Sequence, residues 1–118
     1  MRAVIFANGL LNYPQQARAT IQSGDLVIAA DGGAQHCLSS GFIPAVLIGD
    51  LDSIEPAHLE KLKTLGTRLS VHRRDKDQTD LELAIAHAIQ AGAQEVILFG
   101  LLGGRLDQTL ANLLLLAR

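Results

Sequence analysis

Five short runs of β-branched and small apolar residues, each followed by a turn or a helix-forming stretch, constrain this chain more than any other feature. They are Ala3-Val4-Ile5-Phe6-Ala7, Leu26-Val27-Ile28-Ala29-Ala30, Ala45-Val46-Leu47-Ile48, Thr67 to His72, and Glu95-Val96-Ile97-Leu98-Phe99. Four of the five are apolar on both alternating faces, which belongs to strands covered on both sides, the habit of parallel sheets. Helix-like stretches lie between them: Pro14 to Gln22, Asp31-Gly32-Gly33 through Ser40, Ile54 to Leu65, and Asp80 to Ala91. Gly41, Gly66 and Gly92 stop the last three. Strand-then-helix units with short joints predict an α/β fold, a three-layer, open, mainly parallel Rossmann-like sheet with helices on both faces. No linker, repeat or low-complexity segment interrupts it, so residues 1–118 read as one domain.

The fourth helix shows the local logic. Thr79-Asp80-Leu81-Glu82 is a capping box, in which Thr79 caps the helix and Glu82 reaches back to the cap's own N–H. Leu81, Ala84, Ile85, Ala88 and Ile89 then line one apolar face at helical spacing. A last helix is expected from Leu106 to the end, with Leu106, Leu110, Leu113, Leu114 and Ala117 in one stripe. Leu115 and Leu116 widen that stripe, and no C-cap follows it. Such an end is expected of a truncated chain.

Composition narrows the function. Ten basic against twelve acidic residues give a net charge of −2, without the basic excess that phosphate neutralisation on a nucleic acid needs. One cysteine, Cys37, excludes an internal disulfide and any multi-cysteine metal site, and its apolar helix makes it a core residue. No apolar run approaches the roughly 20 residues of a membrane span, and the opening segment is too short for a signal-peptide core, so a cytoplasmic location is expected. Tyr13 and three phenylalanines are the only aromatic residues, leaving few rings for stacking a flat heterocycle.

The aspartates carry the chemistry. In an open parallel sheet, ligands bind outside the carboxyl ends of the strands. Asp31 follows the second strand, Asp50 and Asp52 the third, Asp75, Asp77 and Asp80 the fourth, and Asp107 with Arg105 the fifth. Seven of the eight aspartates thus fall on one rim, where they repel one another unless a cation sits among them. A hard divalent ion with oxygen ligands answers this, Mg²⁺ before Ca²⁺, whereas zinc would want His or Cys. Asp50 and Asp52, two apart in an extended segment, face the same way roughly 6.5–7 Å apart. Asp80 lies in a first helical turn, where the dipole favours a carboxylate in any case, and Asp77 precedes it on the same rim. Gly103-Gly104-Arg105-Leu106-Asp107 lets backbone N–H groups approach an anion while Arg105 grips phosphate; taken alone, it reads first as a glycine turn with an ordinary surface ion pair. Asp31-Gly32-Gly33 suits adenine, ribose or phosphate, and suits a plain N-cap as well. There is no G-x-G-x-x-G and no Walker loop. His36, His58, His72 and His87 have no ligand spacing.

Taken together, Asp31-Gly32-Gly33-Ala34, Ile48-Gly49-Asp50-Leu51-Asp52-Ser53-Ile54, Lys76-Asp77-Gln78-Thr79-Asp80-Leu81-Glu82 and Gly103-Gly104-Arg105-Leu106-Asp107 with Ala111-Asn112 resemble the catalytic domain of thiamine pyrophosphokinases in order and spacing. The resemblance covers essentially the whole chain. It implies Mg²⁺-dependent transfer of a diphosphoryl group from ATP to the hydroxyl of thiamine, giving thiamine diphosphate and AMP. It makes Asp50, Asp52 and Asp80 the catalytic metal carboxylates, and it places Asp31, Gly32, Gly33, Asp77, Thr79, Arg105 and Asp107 around nucleotide and phosphates. One of Asp50 and Asp52 would also accept the thiamine hydroxyl proton.

The resemblance further implies a homodimer, and a smaller thiamine-binding β domain that would follow this one and is absent from the chain. The chain alone is then expected to fold, to bind Mg·ATP weakly and to turn over poorly. Gln108 stands where the family commonly has His, and Ala45 where it often has Asp. Two other readings share the acidic rim: a related diphosphokinase acting on another alcohol, such as a hydroxymethylpterin, and a non-catalytic Mg-nucleotide-binding module.

Overall fold

The computed structural model describes residues 1–7, 14–49, 55–71, 80–99 and 111–114. The elements run β1 (Arg2–Phe6), α1 (Pro14–Thr20), β2 (Leu26–Ala30), α2 (Gly33–Ser39), β3 (Val46–Gly49), α3 (Pro56–Thr64), β4 (Arg68–Val71), α4 (Asp80–Gln90), β5 (Glu95–Phe99) and β6 (Ala111–Leu114). The sheet order is β4-β3-β2-β1-β5-β6, with the first five strands parallel. β1 is the hinge of this topology. The chain steps outward from it through β2, β3 and β4, then crosses back to place β5 on its other side.

Strand side chains alternate between two apolar layers. Ala3, Ile5, Ile28, Ala30, Val46, Ile48, Val96 and Leu98 face α4, whose Ala84 and Ala88 are fully buried against them. On the opposite face, Val4, Phe6, Val27, Ile97 and Phe99 pack with Ala17 of α1 and Cys37 of α2. Ala29 and Leu47 continue that layer toward Ala34 of α2 and Leu62 of α3. Helices therefore cover both faces, as the apolar strands require. Cys37 is buried as expected, its Sγ 3.4 Å from the Phe42 carbonyl oxygen, and burial pushes its thiol pKa up to about 12. Gly41, Gly66 and Gly92, at the three expected stops, all have positive φ.

Two expectations are corrected. Residues 111–114 are not helical. They form an edge strand antiparallel to β5, pairing Ala111 with Leu98 and Leu114 with Glu95. A leucine run carries no decisive period, and the open edge of β5 offers a row of N–H and C=O groups that a strand satisfies and a helix does not. The rest of the expected helix lies outside the described residues. Ile89, assigned to the buried stripe of α4, is 47% exposed, because it sits about 80° around the helix from Leu81, at the margin of that stripe. Leu83 packs against the core in addition.

At the amino edge of the sheet two arginines tie elements together. Arg2 Nη2 donates to Asp25 Oδ2 at 2.6 Å and to the Thr20 carbonyl at 2.7 Å, while the Gln22 N–H donates to the same carboxylate at 2.8 Å. The start of β1 is thereby fastened to the end of α1 and to the turn before β2. Arg18 Nε donates to the Ser40 carbonyl at 2.9 Å, satisfying the C-terminal end of α2. Burial alone would raise the pKa of Asp25. The hydrogen bonds from Arg2 and Gln22 and the guanidinium charge outweigh that, and hold it below its ordinary 3.8.

At the other edge α2 approaches β1 closely. A Cβ built on Gly33 would overlap the carbonyl oxygen of Phe6 and lie 3.0 Å from that of Ala7. Only glycine lets the helix start there.

Asp25→Asn is expected to lower unfolding stability by about 1–3 kcal/mol near neutral pH, since it leaves a largely buried guanidinium without its anion. A depressed folded-state pKa means the stabilisation is complete above pH 3.8 and disappears as pH falls through the lower folded value. Urea titrations of the two proteins should therefore converge below about pH 4. Gly33→Ala should cost about 2–3 kcal/mol in the same measurement through overpacking against β1 backbone.

Candidate functional site

Because β1 to β5 are parallel, their carboxyl ends share one edge, and the segments carrying the candidate residues all begin there. β2 ends at Ala30, one residue before Asp31; β3 ends at Gly49, one before Asp50; β5 ends at Phe99, ahead of the Gly103-to-Asp107 segment. β4 ends at Val71, and α4 opens at Asp80 on its return from the same edge. Register brings the ends side by side, with Ala30 opposite Ile48 and Gly49 opposite Val71.

Asp31, Gly32 and Gly33 are seen directly. Gly32 occupies the N-cap position of α2, with no side-chain cap bond, so Asp31 is not the N-cap. Asp31 instead has φ of 50°, the left-handed region, where Asp and Asn are tolerated better than other non-glycine residues. Its N–H donates to the Ile48 carbonyl at 2.7 Å and its carbonyl accepts from the Ala34 N–H at 3.2 Å. Its Oδ1 is buried. The two glycines are explained in part by the fold itself, since Gly33 is demanded by β1. Gly49, with φ of 152°, turns the chain at the end of β3 just before Asp50, in a conformation open to glycine and few others.

Asp80 is placed by its backbone at the first residue of α4, where the capping box puts the start of the helix. Its side chain lies outside the described residues, as do Asp50, Asp52, Asp77, Thr79, Arg105 and Asp107. Among the described residues no three His, Cys, Asp or Glu side chains converge as a metal set.

The ends of β1 and β5 flank the point where the sheet order reverses, the place where open α/β sheets take their ligands. Phe6 and Phe99, the last residues of those strands, stack with ring centroids 5.4 Å apart at 25°, and the Ala7 N–H donates to the Phe99 carbonyl at 2.8 Å. Two of the three phenylalanines are therefore buried together at this end of the sheet. Periodicity did not single them out. Their signal in the sequence is only that each lies at or next to the end of an apolar run.

Comparison with known proteins agrees with this layout. The thiamin pyrophosphokinase catalytic domain matches residues 17–118. Thiamine pyrophosphokinase of Bacillus subtilis is 34% identical over 112 residues, covering 95% of this chain and 52% of that protein. Thiamine pyrophosphokinase 1 of rice is 28% identical over 137 residues, covering 98% and 51%. The crystal structure of the Bacillus subtilis protein superimposes with a TM-score of 0.75 at 28% identity, over 91% of this chain and 50% of that one. The Geobacillus thermodenitrificans structure gives 0.70 at 29% over the same shares. The chain spans about half the length of the curated relatives it matches. With its parallel sheet and a family match over residues 17–118, this chain belongs to the thiamin pyrophosphokinase catalytic-domain family.

Proposed function

We propose that this protein transfers a diphosphoryl group from ATP to the hydroxyl of thiamine, releasing AMP and thiamine diphosphate, with Mg²⁺ as cofactor. The observation that supports this best is the family match over residues 17–118, a span that includes Asp31 and every other candidate carboxylate of the rim. The parallel strands start each of those segments from one edge. Phosphoryl-type transfer asks little covalent chemistry of a protein. It asks for positioning and for neutralisation of charge as it moves onto the leaving phosphate oxygen.

The donor set suits a hard divalent ion, because the acidic groups leading from β3 and α4 are all carboxylates. Asp50, Asp52 and Asp80 would hold Mg²⁺, which supplies charge for the phosphate oxygens. Arg105 would grip phosphate as a fork, with Asp77, Thr79 and Asp107 alongside it. The segment Asp31-Gly32-Gly33 would border the nucleotide. Either Asp50 or Asp52 would take the proton from the thiamine hydroxyl as its oxygen attacks the β-phosphorus and the α,β-bridging bond breaks toward AMP. A homodimer and a cytoplasmic setting belong to the same reading.

Calorimetric binding of α,β-methylene ATP to this chain is expected to require Mg²⁺ and to weaken at least tenfold in Asp52→Asn, about 1.4 kcal/mol. Thiamine-dependent AMP release should fall about 10²-fold or more in Asp50→Asn and Asp52→Asn. Binding that ignores both Mg²⁺ and Asp52 would overturn the metal assignment. AMP release stimulated by a hydroxymethylpterin and not by thiamine would overturn the acceptor.

A further inference from the structure

We draw no further inference here: the strongest candidate, the cavity of about 400 Å³ at the amino edge of the sheet beside Arg2, Gln22, Asp25 and Glu95, carries none, because Arg2 and Asp25 already bond each other, the Thr20 carbonyl and the Gln22 N–H, and nothing among the described residues points to a ligand there.

Discussion

The parallel pairing of β1 with strands on both sides is the constraint from which the rest follows. Ala3, Val4, Ile5 and Phe6 are fully buried, with α4 covering one face and α1 and α2 the other. A strand in that position can carry no polar side chain along its centre. Neighbours that must run parallel to it also need crossover helices, so every strand exit falls on one edge and every strand entry on the other. Polar chemistry is thereby expelled from the sheet and gathered at its rims.

The two rims resolve their electrostatics in different ways. At the amino edge, Arg2 meets Asp25 and the Thr20 carbonyl, and Arg18 meets the Ser40 carbonyl, so charge is spent internally on closing helix ends. Thr67 adds a buried bond of 2.7 Å to the Pro44 carbonyl, fastening the entry to β4 beside the entry to β3. At the carboxyl edge, Asp31 follows β2, Glu55 precedes α3 and Glu82 lies in the first turn of α4, and the other six aspartates read onto this rim follow β3, β4 and β5 in sequence. Carboxylates gathered at one edge repel one another, and a cation among them would relieve that repulsion. The same topology thus separates a rim fastened by Arg2 and Arg18 from the rim at which the candidate segments begin.

Much of this was legible in the residues, and the reasons differ by element. β2 and β5 match their runs residue for residue, because four consecutive residues of each are buried on both faces. α4 begins at Asp80, as its capping box dictates. The segment at 111–114 reads as helix because the leucine run it enters, Leu113 to Leu116, has no period, and only the vacant side of β5 decides for a strand. The turn at Asp31 was half legible. An aspartate before two glycines signals a tight junction, but a cap and a left-handed elbow share that signature, and the choice depends on how near α2 must come to β1.

That nearness links packing to site. Gly33 is glycine because β1 stands against it, and Asp31 is left-handed because the chain must still complete the β2–β3 ladder before it turns. Neither requirement mentions a ligand. Yet together they bring a buried carboxylate oxygen and the last carbonyl before Gly49 to the edge where β3 hands the chain to Asp50. The strain stored at residue 31 is sustained by the core beneath it, since relaxing φ would cost either a helix seated on β1 or a ladder bond to β3. The conformation of residue 31 therefore rests on the apolar packing of β1, a strand with no polar side chain at its centre.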